Sequence, residues 1–259
     1  MQTYFEKMNE SYIDKHYPER SVFSSINKSG QKSGIGVYVL LGAFALMTGA
    51  AMIWSIKNLM EFMKEGESDM MAPGLTIIGI CFLLFAVSLF GIIITAKRNR
   101  AGVEGLIKKS AKNSRCSESD IREFERQAMA SDSYILKLMG TAKAVLTGSK
   151  DGILTRDFIY LDNVKHIIMK RSDIIGALLV QRTYYISVGN SRKAVNYLTA
   201  TLISNKGIDT LAEVTIEAGK ALLDLLKEEN SQIDVNDFTV MNEKEYTKYC
   251  KEKFSAYLN

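Results

Sequence analysis

The sequence predicts a membrane protein: an α-helical transmembrane hairpin followed by a cytosolic α+β domain. Three observations predict it. Residues 35–56 and 75–96 are apolar runs without a charge, a polar connection of eighteen residues separates them, and near residue 134 the composition turns to Val, Ile, Thr and Tyr. At a rise of about 1.5 Å per residue each run makes a helix of roughly 33 Å, enough to cross the roughly 30 Å hydrocarbon core of a bilayer. Buried helices of soluble domains rarely stay uncharged for so long, and two in succession are rarer. Thr48-Gly49-Ala50 resembles a signal-peptidase site, but 34 residues precede the run and its apolar character continues to Ile56.

The first segment, residues 1–34, is expected on the cytosolic side. Tyr4, Phe5, Met8, Tyr12, Ile13, His16 and Tyr17 recur at three- and four-residue intervals, which predicts an amphipathic helix over 1–17 that ends before Pro18. Residues 21–34, rich in Ser, Lys, Asn and Gly, read as a flexible lead into the first span. The spans themselves, 35–56 and 75–96, carry only hydroxyls as polar groups: Thr48, Ser55, Thr76, Ser88 and Thr95. A transporter or channel places ionisable groups or broken helices at membrane depth, so these helices read as an anchor. Ala45 and Gly49 in the first span, and Gly79, Ala86 and Gly91 in the second, allow close packing within the hairpin or between copies as a homo-oligomer.

The extracytoplasmic loop, 57–74, holds two lysines against Glu61, Glu65, Glu67 and Asp69. Lys28 and Lys32 precede the first span, and Lys97, Arg98, Arg100, Lys108, Lys109 and Lys112 follow the second. Basic residues stay on the cytoplasmic side, which predicts a cell-membrane protein with both termini in the cytoplasm. The same six cations are candidates for contact with anionic lipid headgroups, each contributing on the order of 1 kcal/mol near the surface; their plainer role is to stop transfer of the chain.

Segment 97–130 combines this basic flank with a connecting helix at 118–130, which Ser117 and Asp120 cap and Ile121, Phe124 and Ala128 make amphipathic. From 131 to 229 the chain reads as an antiparallel meander with strands at 134–139, 143–147, 152–161, 165–169, 174–188, 194–204 and 209–214. Lys150-Asp151-Gly152, Gly189-Asn190-Ser191 and Asn205-Lys206-Gly207 supply the turns. A helix over 215–229, with Ile216, Ala221, Leu222, Leu225 and Leu226 on one face, is expected to cover the sheet's core. Segment 230–259 ends in a helix at 243–258, capped by Asn242 and Glu245. Its stripe of Tyr246, Tyr249, Cys250, Phe254 and Tyr257 either docks on the domain or forms a partner-binding face through Tyr246, Tyr249, Phe254 and Tyr257.

Gly152-Ile153-Leu154-Thr155-Arg156-Asp157-Phe158-Ile159-Tyr160, with Ile167 to Ile175 including Ser172-Asp173-Ile174, resembles the pattern of bacterial pleckstrin-homology-like (PH-like) domains. Many such proteins also carry a two-helix membrane hairpin before the domain. The resemblance covers roughly residues 134–229. It implies a bent antiparallel sheet of about seven strands capped by a C-terminal helix, a fold that serves lipid, peptide and protein binding alike. Inositide-binding members have a basic first hairpin, whereas Thr147 to Gly152 holds one Lys beside one Asp.

Composition narrows the function further. Residues 97–259 hold 26 basic and 21 acidic side chains, interspersed rather than gathered in a stripe, so no nucleic-acid partner is expected. Cys81, Cys116 and Cys250 are far apart and only His16 and His166 are present, which predicts neither a disulfide framework nor a metal site. Gly148-Ser149-Lys150 lacks the upstream glycine of a phosphate loop, and Gly34-x-Gly36 lacks the third glycine of a dinucleotide fingerprint. Asp157, Asp162 and Asp173 have no partner spacing for acid–base work. The expectation is a membrane-anchored, non-catalytic interaction module without a cofactor, binding a protein partner; the alternative is an anionic-lipid-binding or lipid-sensing protein, and an unrecognised membrane enzyme stands behind both.

Overall fold

The structure, a computed structural model, describes residues 4–65, 71–100, 102–139, 151–161, 165–188 and 191–257. The chain divides into two compact units, one formed by Met1–Phe23 with Ile107–Asn259 and the other by Ser24–Leu106. The sheet-rich unit is therefore discontinuous in sequence, with the apolar helices inserted into it.

The inserted unit is a helical hairpin. The long helix α2 (Val22–Glu65) contains the first run and α3 (Met71–Arg100) the second. Each has a stretch long and apolar enough to span a bilayer, Gly36–Lys64 and Met71–Lys97, consistent with a membrane location. Large apolar side chains point outward along both, among them Leu46 at 77% and Trp54 at 67% exposure, as a lipid-facing surface requires and unlike the buried helix of a soluble core. Pro73 sits in the first turn of α3, where its missing N–H breaks no helical bond. Hydroxyls of Thr48, Thr76, Ser88 and Thr95 donate to Phe44, Ala72, Leu84 and Gly91 carbonyls of their own helix at 2.8–2.9 Å, so they present little free polarity. A Cβ added at Gly91 would lie 3.1 Å from Leu41, and one at Gly49 3.5 Å from the Phe85 ring, so both glycines serve packing within the hairpin. The flexible lead expected over 21–34 is instead the opening of α2, beginning at Val22.

The sheet-rich unit has two sheets. The first has strand order β1-β2-β3-β4-β5, with β1 (Phe5–Lys7), β2 (Tyr134–Leu136), β3 (Gly152–Leu154), β4 (Phe158–Tyr160) and β5 (Ile168–Lys170), all antiparallel. The helix expected over 1–17 is thus only partly present. Asn9 caps α1 (Glu10–His16) by accepting from Tyr12 N, and upstream of it Phe5–Lys7 pairs with β2 instead. The single strand expected at 152–161 is two, because Thr155 turns the chain: its N–H donates to Phe158 O, and its Oγ1 accepts from Phe158 N at 3.0 Å. The strand expected at 143–147 lies outside the described residues.

The second sheet has order β8-β7-β6-β9, with β6 (Ile174–Val188), β7 (Ser191–Ser204), β8 (Asp209–Glu213) and β9 (Val240–Asn242). β9 runs parallel to β6, so the sheet is mixed and not the plain meander expected. Gly207, at φ +69° in the turn into β8, adopts the left-handed backbone that its position requires. Helix α6 (Ile216–Glu229), capped by Thr215, inserts Leu222, Leu223 and Leu226 between the sheets. They share one core with Leu136, Leu154, Ile159 and Met169 of the first sheet and Ala177, Leu179, Ala200 and Leu202 of the second.

The other face of the first sheet is covered too. Helix α5 (Glu118–Ala128) packs Phe124 against Phe158 and Tyr160, with ring centroids 6.2 and 5.8 Å apart. Helix α4 (Gly102–Ser114) buries Ile107, Ser110, Ala111 and Ser114, and Ser114 Oγ accepts from Ile168 N at 2.9 Å. The N-terminal segment joins here: Ser21 Oγ and Phe23 N both donate to Glu125 Oε1, at 2.6 and 3.0 Å, and Phe23 is fully buried.

Candidate interaction surfaces

The expected aromatic face of the last helix is an internal packing surface. Helix α7 (Glu243–Lys253) lies on the outer face of the second sheet, where Met241, Cys250 and Phe254 meet Leu178, Val180 and Ile203, with Tyr246 and Tyr249 packed around them. Phe254 seats over Gly176; a Cβ there would come within 2.7 Å of its ring. Tyr249 donates its hydroxyl to both oxygens of Asp234 at 2.8 Å, and the Arg182 guanidinium lies 5.5 Å from the centre of the Tyr246 ring. Burial raises the pKa of both phenols and of the Cys250 thiol, keeping all three protonated at neutral pH. Of the four residues of the expected partner-binding face, Tyr257 alone is exposed. Tyr246, Tyr249 and Phe254 thus follow the first of the two readings, docking on the domain, where the sheet takes much of their apolar area.

The six expected headgroup cations separate into two groups. Lys108, Lys109 and Lys112 lie exposed on α4, opposite its buried side, and Lys97 is exposed near the end of α3. Of Arg98 and Arg100 only the backbone, the end of α3, is described. Among the described residues no group of three or more His, Cys, Asp or Glu is placed to hold a metal ion.

A third surface was not singled out from the sequence. Strands β6 and β7 stay paired to Val188↔Ser191, whereas β8 pairs β7 only over Ile203 to Thr199, and β9 pairs β6 only over Leu179 to Gln181. Beyond those points the two strands continue as a ribbon of roughly 25 Å, from about 3.3 Å per residue. Opposed residues share a face and the faces alternate. One face carries Tyr184, Ile186, Val195 and Tyr197, each half-buried, with Tyr184 and Tyr197 in edge contact at 5.7 Å. The opposite face carries Thr183, Tyr185, Ala194 and Asn196, all exposed, with Tyr185 at 68%. Residues 181–197 contain Arg182, Arg192 and Lys193 and no acid. Arg182 is held at the base by Glu243, with Nη1 3.2 Å from Oε1; Arg192 and Lys193 are exposed near the far end.

Comparison with protein-family models, curated proteins and solved structures returns no match. The alternation of 183–187 and 194–197 was visible in the sequence as strand. That neighbouring strands stop short of it was not, because strand length says nothing of where a partner ends.

Proposed function

We propose that this chain is a membrane-anchored interaction module with a binding rather than a catalytic role. Its domain, of PH-like architecture, is held at the cytoplasmic face by the hairpin and docks a protein partner on the β6–β7 ribbon. The ribbon is the observation that carries the reading: it combines exposed Tyr and Arg, the residue types enriched where proteins meet, with strands that outrun their neighbours. The PH-like reading is supported by two sheets around one core with α6 immediately after β8. The cytoplasmic placement is supported by the basic residues flanking the hairpin.

A photocrosslinking benzoylphenylalanine at Tyr185, in the full chain and in its own cell membrane, is expected to capture one discrete cytoplasmic protein. The same group at Ile216, exposed on α6, is expected to capture none. Adducts to lipid alone from position 185, or none, overturn the reading.

A second reading is favoured by one observation, the common exposed side of α4 shared by Lys108, Lys109 and Lys112. There the module also senses anionic lipid, and reversal of those three charges weakens its response to phosphatidylserine content.

A further inference from the structure

Resting on the ribbon as the docking site, we infer that its partner is an extended acidic segment of another protein, added as a strand along the free edge of β7. Leu198 is where β8's side of the sheet ends: its carbonyl accepts from Val214 N at 3.0 Å. Carbonyls alternate along a strand, so Asn196, Ala194 and Arg192 turn their N–H and C=O toward the same side. Among the described residues no strand lies beside them there.

The side chains along this edge set what the added strand carries. Arg192 and Lys193 are adjacent, on opposite faces, exposed, and without a carboxylate partner among the described residues. They call for two consecutive acids opposite them. Val195 and Tyr197 continue the Lys193 face as apolar positions, while Ala194 and Asn196 continue the Arg192 face. An antiparallel partner therefore alternates apolar and small polar residues and ends in an acidic pair, since opposed charges and apolar pairs stabilise cross-strand neighbours. The backbone left unpaired among the described residues decides between a protein and a bilayer. Hydrocarbon cannot satisfy an open row of N–H and C=O groups, whereas a strand satisfies all of them.

The test uses the full chain in phosphatidylcholine nanodiscs and a fluorescent synthetic peptide of alternating valine and threonine ending in two glutamates, read by anisotropy. Binding is expected, falling about tenfold or more with R192E/K193E. The peptide carrying two lysines in place of the glutamates is expected to prefer that variant. Methylating alternate peptide amides leaves every charge in place and removes the strand's donors; it is expected to abolish binding. Undiminished binding of the methylated peptide overturns the inference, as does no binding of the parent peptide. Association with phosphatidylserine vesicles that R192E/K193E abolishes, with the peptide unbound, overturns it in favour of a lipid surface. A discrete adduct at position 185 alongside a silent peptide sinks the β7 edge and leaves the module standing.

Discussion

Asp120 shows how one side chain ties local and tertiary structure together. Its backbone N–H donates to Ser117 Oγ and its carboxylate accepts from Ser117 N, closing the cap of α5. The other carboxylate oxygen lies 2.8 Å from Lys170 Nζ, which clips the helix start to β5. The Lys170 ammonium holds the Asp120 carboxyl below its ordinary 3.8, and Asp120 raises the Lys170 ammonium above 10.5. The folded carboxyl binds protons less readily than the unfolded one, so its stabilisation is full above about pH 4 and fades as pH falls through the depressed value. The lysine's share is full below 10.5 and fades only as pH rises through its raised value. Asp120→Asn should therefore cost about 0.5–1 kcal/mol at pH 7 and less at pH 2, checked by denaturant unfolding at both pH values. The cap was legible from Ser117 and Asp120; the partner on β5 lies 50 residues away and was not. Thr155 is the converse case. The chain reverses there without glycine, through a hydroxyl standing in for a backbone acceptor, so a reading that looks for Gly, Asn or Pro runs straight through the turn.

The inner strands β3 and β4 of the first sheet are short and buried on both faces, which explains why they carry little alternation. Gly152–Leu154 and Phe158–Tyr160 are buried throughout, one side against the α6 core and the other against α5. Removing the helices would expose Ile153, Phe158 and Tyr160 together. A fragment of residues 131–259, which composition alone makes the natural domain, lacks β1, α4 and α5. It is expected to aggregate or to melt without a cooperative transition. Residues 4–23 joined to 107–259 through a flexible linker of about 15 residues should melt cooperatively, and calorimetry of the two distinguishes them. β9 escaped notice for a related reason: three residues, Val240–Asn242, are too few for a periodic signal, and only the neighbouring edge of β6 makes them a strand.

In sequence, the sheet-rich unit is interrupted by a hairpin of two helices long and apolar enough to span a membrane, rather than preceded by it. Phe23 is buried before the insertion and Ile107 after it, within the same unit. Both ends of the hairpin are consequently tied to folded structure. Replacing residues 36–97 by an unrelated two-span hairpin should leave the domain folded and the protein in the membrane fraction, whereas deleting residues 1–9, and with them β1, should lower the domain's melting temperature. Limited proteolysis of the membrane-bound proteins separates the two outcomes. Much of this was written locally. Two uncharged runs specify helices that bilayer-length burial stabilises, and the caps at Ser117, Thr215 and Asn242 specify helix starts, because each needs only neighbours a few residues away. The pairing of Phe5–Lys7 with β2, the second face of the first sheet, the sheet face on which Tyr246, Tyr249 and Phe254 dock, and the length by which β7 outruns β8 arose only when distant segments met. Their energies come from contacts between residues far apart in the chain, and no window of sequence contains both partners.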